Sequence, residues 1–297
     1  MRAVVESITE IRKKVQEPVR QYNDIAGLLV GDRLSIHITR FFIARGWSPT
    51  VATLGMLVAG LTGASLLPFG DVAAVAGFVL LVLYYVFDCV DGEVARYHEI
   101  EDVFWSFHDY LFHLYVKSAF FISMGIAGYL TTGKIWMFAV AAVGLVSTFL
   151  TKTLRDLSYL LANRLVLLRE SGPTDRAYCQ LTSEITEEAL AAARGSRPSK
   201  SPKTYGSWLG KGRSVVTNFD LMSIVFLMSA IADLFLDPFV VAGMPFDVKI
   251  LLFTIVTFVL AVDFLDRLVH HIRTGQFRRE AAEMLVRAHH FRVRRDR

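Results

Sequence analysis

The sequence predicts an all-α integral membrane protein, with six transmembrane helices preceded by amphipathic interfacial helices and both termini in the cytoplasm. Three observations predict it. Of the 297 residues, 53% are hydrophobic and only 20% are charged, and the mean hydropathy is +0.42. A water-soluble domain of this length rarely carries so little charge to cover so much apolar surface. Six stretches are apolar enough to cross about 30 Å of hydrocarbon, near Val51–Leu67, Val72–Val90, Val103–Leu130, Ile135–Leu150, Phe219–Leu236 and Val248–Leu265. With both ends on one side, the outer loops are 68–71, 131–134 and 237–247. Every Lys and Arg except Lys117, Lys134 and Lys249 then falls on the opposite side, which the positive-inside rule makes the cytoplasm.

Residues 1–48 form the amphipathic part. Val4, Ile8, Ile11 and Val15 recur at helical spacing, periodic rather than continuous, so this segment is not expected to be a signal peptide. Pro18 is expected to end that helix. A second segment, DRLSIHITRFFIARG, takes Asp32 as N-cap and Gly46 as stop. Its Leu34, Ile38 and Phe41 suit a membrane interface, with Arg33, His37 and Arg40 toward headgroups; packing on another protein surface is the alternative.

Residues 49–154 hold the first four spans. The first is rich in small residues (Gly55, Ala59, Gly60, Gly63, Ala64), which allow close helix approach. Residues 155–214 form a cytoplasmic insert, with a short helix over Ser183–Arg194 and a Gly-, Ser-, Pro- and Lys-rich linker from Gly195 to Gly212. Residues 215–270 carry the last two spans, where Asp263, Asp266 and Arg267 read as an end-of-helix ion pair. The tail, 271–297, is basic and suits anionic headgroups; membrane lipids, and no nucleic acid, are its expected partners. Cys89 and Cys179 fit neither a disulfide nor a metal spacing.

The chemistry is concentrated in residues 87–117, FDCVDGEVARYHEIEDVFWSFHDYLFHLYVK. Asp88 and Asp91 are three apart and share a helix face. Gly92 follows, exposing backbone, and Arg96 comes one turn later. On the next span Trp105, Asp109, His113 and Lys117 recur every four residues as one polar stripe. Charges inside a bilayer cost several kcal/mol each and normally face a protein interior or wet cavity. Three carboxylates on adjacent helices repel one another, and a hard divalent cation is their natural compensation. Such a cation, with Arg96, would hold phosphates, which is the physics of phosphoryl transfer. Buried ion pairs, Asp88 or Asp91 with Arg96 and Asp109 with Lys117, are the competing reading.

With those residues in place the chain resembles the CDP-alcohol phosphotransferase (CDP-alcohol phosphatidyltransferase) family, whose signature reads D-x2-D-G-x2-A-R, then eight residues, then G-x3-D-x3-D. Asp88, Asp91, Gly92, Ala95, Arg96 and Asp109 match it; Trp105 stands where the family has Gly, and His113 where it has its last Asp. Pro49 and Thr53 also fit the family's Pro-Asn-x-x-Thr element, with Thr50 in place of Asn. The resemblance covers residues 30–155; the later spans match in number and placement only.

The resemblance implies that Asp88, Asp91 and Asp109 hold two divalent ions, Mg2+ or Mn2+. It puts Gly92, Ala95, Arg96, Thr53 and the position of Trp105 beside the nucleotide, and it makes His113 the base. It further implies transfer of a phospho-alcohol group from a CDP-linked donor to a lipid or small-alcohol acceptor in membrane lipid synthesis, with release of CMP. A homodimer in a bacterial or archaeal cytoplasmic membrane is expected, its active site facing the cytoplasm. Lys117, Lys152 and Arg155 are candidates for an acceptor phosphate; Lys152 and Arg155, with Arg213, also read as ordinary positive-inside charges. His113 serves equally as a metal ligand, a donor that favours Mn or Zn over Mg. An indole at 105 fills or restacks the space that Gly leaves. Two other functions compete: a non-catalytic or different-donor descendant acting as a membrane binding or regulatory protein, and a transporter with Asp109, His113 and Lys117 as a relay.

Overall fold

The computed structural model describes residues 6–20, 27–100, 103–171 and 218–274. Helix α1 (Ile8–Val15) opens with Ser7 as N-cap in a reciprocal capping box with Glu10. It ends at Val15, ahead of Pro18, where the Gln16 N–H turns back onto the Arg12 carbonyl. A π-helical turn, Gly27–Gly31, leads directly into α2 (Asp32–Arg45). Asp32 is therefore the first helical residue rather than the N-cap, a position taken by Gly31. Gly46, at φ +65°, stops α2 in the left-handed region.

Four long helices follow: α3 (Pro49–Leu66), α4 (Asp71–His98), α5 (Val103–Thr132) and α6 (Trp136–Ser171). Next come α7 (Phe219–Asp233), a hairpin of β1 (Phe239–Val241) and β2 (Met244–Phe246), and α8 (Val248–Thr274). Among the described residues five helices, α3–α6 and α8, are long and apolar enough to cross a membrane. The chain is a mostly helical, multi-pass membrane protein. The expected fifth span appears as α7, which has only 15 residues, about 22 Å of helix.

Two more boundaries differ from expectation. Helix α6 continues to Ser171 because Leu, Ala and Arg sustain a helix after the apolar run stops near Leu150. The loop 237–247 contains the hairpin, closed by Ala242 and Gly243 at φ 50° and 76°, the backbone of a tight two-residue turn. The helix expected at Ser183–Arg194, the 195–212 linker, Cys179, Arg213 and the tail beyond 274 lie outside the described residues.

The chain divides into two compact units, residues 1–145 with 214–258, and residues 146–213 with 259–297. In the first, α4 is the central element, packed by α1, α2, α3 and α7. Gly63 and Gly77 bring α3 and α4 together: a Cβ on Gly63 would stand 2.7 Å from the Gly77 carbonyl oxygen, and one on Gly77 2.6 Å from that of Gly63. Phe78 of α4 stacks on Phe226 of α7 with ring centroids 5.6 Å apart, and Phe120 of α5 meets Phe226 and Phe253 edge-on. In the second unit, Arg267 Nε donates to Asp263 Oδ2 at 2.6 Å, the pair expected from the sequence, with Asp263 buried.

Helix α2 turns Leu34, Phe41, Arg33, His37 and Arg40 outward. Its inward face is partly polar: Ser35, Ile36, Thr39 and Phe42 are buried. Ile36 packs with Ile11 and Val15 of α1, so the apolar stripe of α1 is covered by protein. The buried hydroxyls converge on Glu93 of α4, which accepts hydrogen bonds from Gln16 Nε2 (2.7 Å), Ser35 Oγ (2.6 Å) and Thr39 Oγ1 (2.5 Å).

Candidate metal centre and adjoining cavity

The two halves of the motif lie on α4 and α5, and the helical repeat puts their polar residues on facing sides. Asp88 of α4 and Asp109 and His113 of α5 each turn one ligand-type atom into a common space, all three within 4.8 Å of one another. His113 Nε2 is 3.1 Å from Asp88 Oδ1 and 3.6 Å from Asp109 Oδ1. Its Nδ1 is hydrogen-bonded to the Tyr84 hydroxyl. Tyr84 is fully buried and sits on α4 one turn before Asp88, so both are on one face. Two carboxylates and an imidazole at this spacing suit one divalent cation, since oxygen and neutral ring nitrogen are both common ligands.

Asp91, one turn along α4 from Asp88, is tied to α3. The Thr53 hydroxyl is 3.1 Å from Asp91 Oδ2 and 3.2 Å from the Pro49 carbonyl, so its single proton is shared between them. The α3–α4 contact thus ties the Pro49/Thr53 element to the first half of the motif.

Arg96 folds back over Gly92. A Cβ on Gly92 would stand 3.1 Å from an Nη atom of Arg96, so a larger residue there would crowd the guanidinium. Arg96 Nε donates to the Val15 carbonyl at 2.8 Å, where a cation suits the last turn of a helix. Its remaining donors face a cavity of about 350 Å³, within the usual range of small-molecule pockets, about 300–1,000 Å³. Asp88, Gly92 and Arg96 line it, together with Asp32, Glu93 and Asp220. Four carboxylates against one guanidinium make this cavity a poor host for a bare anion and a good one for a cation or a cation-paired phosphate.

Of the other expected site residues, Ala95 is half-buried on α4. Lys117 places its ammonium 5.6 Å from the centre of the Phe219 ring. Trp105 is helical, but its side chain lies outside the described residues, as does that of Arg155. Lys152 belongs to the second compact unit. Sequence reasoning missed Tyr84, Asp220 and the Glu93 network. The signal for Tyr84 was its position four residues before Asp88. Asp220 follows Asn218, whose side chain caps α7 by accepting from the N–H groups of Asp220 and Leu221. No protein-family model matches the chain, and no curated protein matches it significantly.

Proposed function

We propose that the chain is a six-span, metal-dependent transferase of the kind its motif resembles. It moves a phospho-alcohol group from a CDP-linked donor to an alcohol acceptor and releases CMP. The observation that carries this reading is the meeting of Asp88, Asp109 and His113, from both halves of the motif, beside a cavity lined by Asp88, Gly92 and Arg96. α7 counts as the fifth span because Leu234, Phe235 and Leu236 extend its apolar length and are exposed.

In this reading Asp88, Asp109 and His113 hold a cation that, when bound, neutralises negative charge on the donor's phosphates. Gly92 keeps the α4 backbone open beside the nucleotide, and the Arg96 Nη donors are directed to phosphate oxygens. Asp91 is held by Thr53. The acceptor hydroxyl oxygen bonds to the phosphorus next to the alcohol, the bond to the CMP oxygen breaks, and the hydroxyl proton passes to a base.

A different-donor or non-catalytic reading gains support from one observation: Arg96 spends its Nε on Val15, in a cavity with an excess of carboxylates. Titration of CDP and CMP into purified protein in detergent, with Mn2+ or Mg2+, separates the two. Metal-dependent binding lost in Asp88→Asn supports the transferase. Absence of nucleotide binding with either metal would refute it in favour of the second reading.

A further inference from the structure

We infer that His113 is itself a ligand of the cation, aimed by Tyr84, and that this nitrogen donor makes the site select Mn2+ over Mg2+. The inference rests on the proposed metal site and deepens it. Both ring nitrogens are already committed by geometry. Nε2 faces the two carboxylates at 3.1 and 3.6 Å, and Nδ1 is bonded to Tyr84. A base for the acceptor needs a ring nitrogen directed at the incoming hydroxyl. A ligand needs one nitrogen directed at its fellow ligands and the other held by a hydrogen-bond partner, and that second pattern is the one present.

Tyr84 is suited to that task. It is fully buried, its ring stands at 89° to the imidazole, and the Phe219 ring packs edge-on against it, so it has little freedom to swing. A phenol both donates and accepts. With Nε2–H donating to Asp88, Tyr84 O–H donates to Nδ1; with the Nε2 lone pair given to a cation, Nδ1–H donates to the same phenol oxygen. The ring keeps its orientation through the change of tautomer. Tyr84 and Asp88 lie on one face of α4, so the helix that supplies a carboxylate also aims the imidazole.

The metal preference follows from the donor set. Mg2+ takes oxygen ligands in a strict octahedron and gives up water reluctantly. Mn2+ accepts imidazole more readily and tolerates looser geometry. Replacing a carboxylate by an imidazole also removes one negative charge, which weakens binding of the harder ion more.

The test uses full-length protein in detergent, with the metals alone. Pulsed EPR of the Mn2+-loaded protein is expected to show modulation from a directly coordinated ¹⁴N, absent in His113→Asp. Competition is expected to show Mn2+ bound at least tenfold more tightly than Mg2+, with the ratio falling in His113→Asp. Tyr84→Phe is expected to keep the ¹⁴N signal but weaken Mn2+ binding about tenfold, the usual effect of losing the partner of a ligating histidine. Mn2+ binding with no coordinated nitrogen in the unmodified protein, or equal affinity for Mg2+, would overturn this inference and leave the carboxylate site standing. Binding of neither metal would overturn the metal site itself, and the inference with it.

Discussion

Replacement of Glu93 by Ala tests whether the amphipathic helices are fastened to the membrane-spanning part through one carboxylate. Glu93 is 2% exposed and receives three donors at 2.5–2.7 Å, Gln16 from the end of α1 and Ser35 and Thr39 from α2. Each buried donor left without an acceptor costs about 1–3 kcal/mol. Removing the carboxylate also removes the cost of keeping it out of water, which offsets part of the loss. A net loss of about 3 kcal/mol is expected. At about 2–4 °C per kcal/mol for a chain of this size, melting should fall by about 6–12 °C. Glu93→Gln keeps the volume and one acceptor oxygen but turns an amide toward one donor, so its loss should be smaller. Thermal melting in detergent reads the size of the effect, and hydrogen exchange reads its place. Faster exchange in α1 and α2, with α5 unchanged, is the expected pattern. Unchanged melting together with unchanged exchange in α1 and α2 would refute the argument, because three buried donors that lose their acceptor cannot be free of cost.

Two further outcomes are expected. Gly63→Leu should lower melting strongly, because even its Cβ would stand 2.7 Å from the Gly77 carbonyl oxygen; overpacking of this kind costs about 1–3 kcal/mol or more, and an unchanged melting curve would contradict the close α3–α4 contact. Near the N-terminus, side-chain and backbone hydrogen bonds from Ser7 hold the Glu10 carboxyl below its ordinary value of 4.5. The capping contribution is then complete above that value and is lost as pH falls through the lowered one. Exchange protection in the first turn of α1, corrected for intrinsic rates, should drop on acidification through that window, and Ser7→Ala, which removes the hydroxyl but keeps the backbone donor, should weaken the dependence.

Much of this arrangement was legible because bilayer helices must be long, continuous and apolar. α3 and α5 lie close to their expected bounds, while α4 runs eight residues past Val90 to His98. The spacing of Asp88 and Asp91 on one helix and of Asp109 and His113 on the next was legible as two polar faces, since residues three and four apart share a face. What the pattern hid was the polar inward face of α2. In α2 Leu34 and Phe41 point outward, as expected, while Ser35 and Thr39 are buried because Glu93 of α4 accepts their hydrogen bonds. The place of Asp91 was hidden for another reason: three-residue spacing puts it near Asp88, but α3 supplies Thr53 as a closer partner, and no pattern within α4 reports a neighbour from α3.

The opposite end of α4 shows what a purely structural charge cluster looks like in this protein. Lys249, 3% exposed, is 2.7 Å from Asp71, 3.2 Å from Asp233 and 3.0 Å from Asp247. An ammonium has three N–H donors, and each has an acceptor. The carboxylates are used as well: Asp233 accepts from the backbone N–H groups of Val248 and Lys249 at the start of α8, and Asp247 from Thr131. Donors and acceptors are matched there, and the cluster joins four segments of the chain. Around His113 the balance is different. One ring N–H faces two carboxylates and can donate to only one of them at a time. The same chain thus contains a charge cluster closed by its own lysine and a second, of Asp88, Asp109 and His113, which under the proposed function is the one that holds a cation.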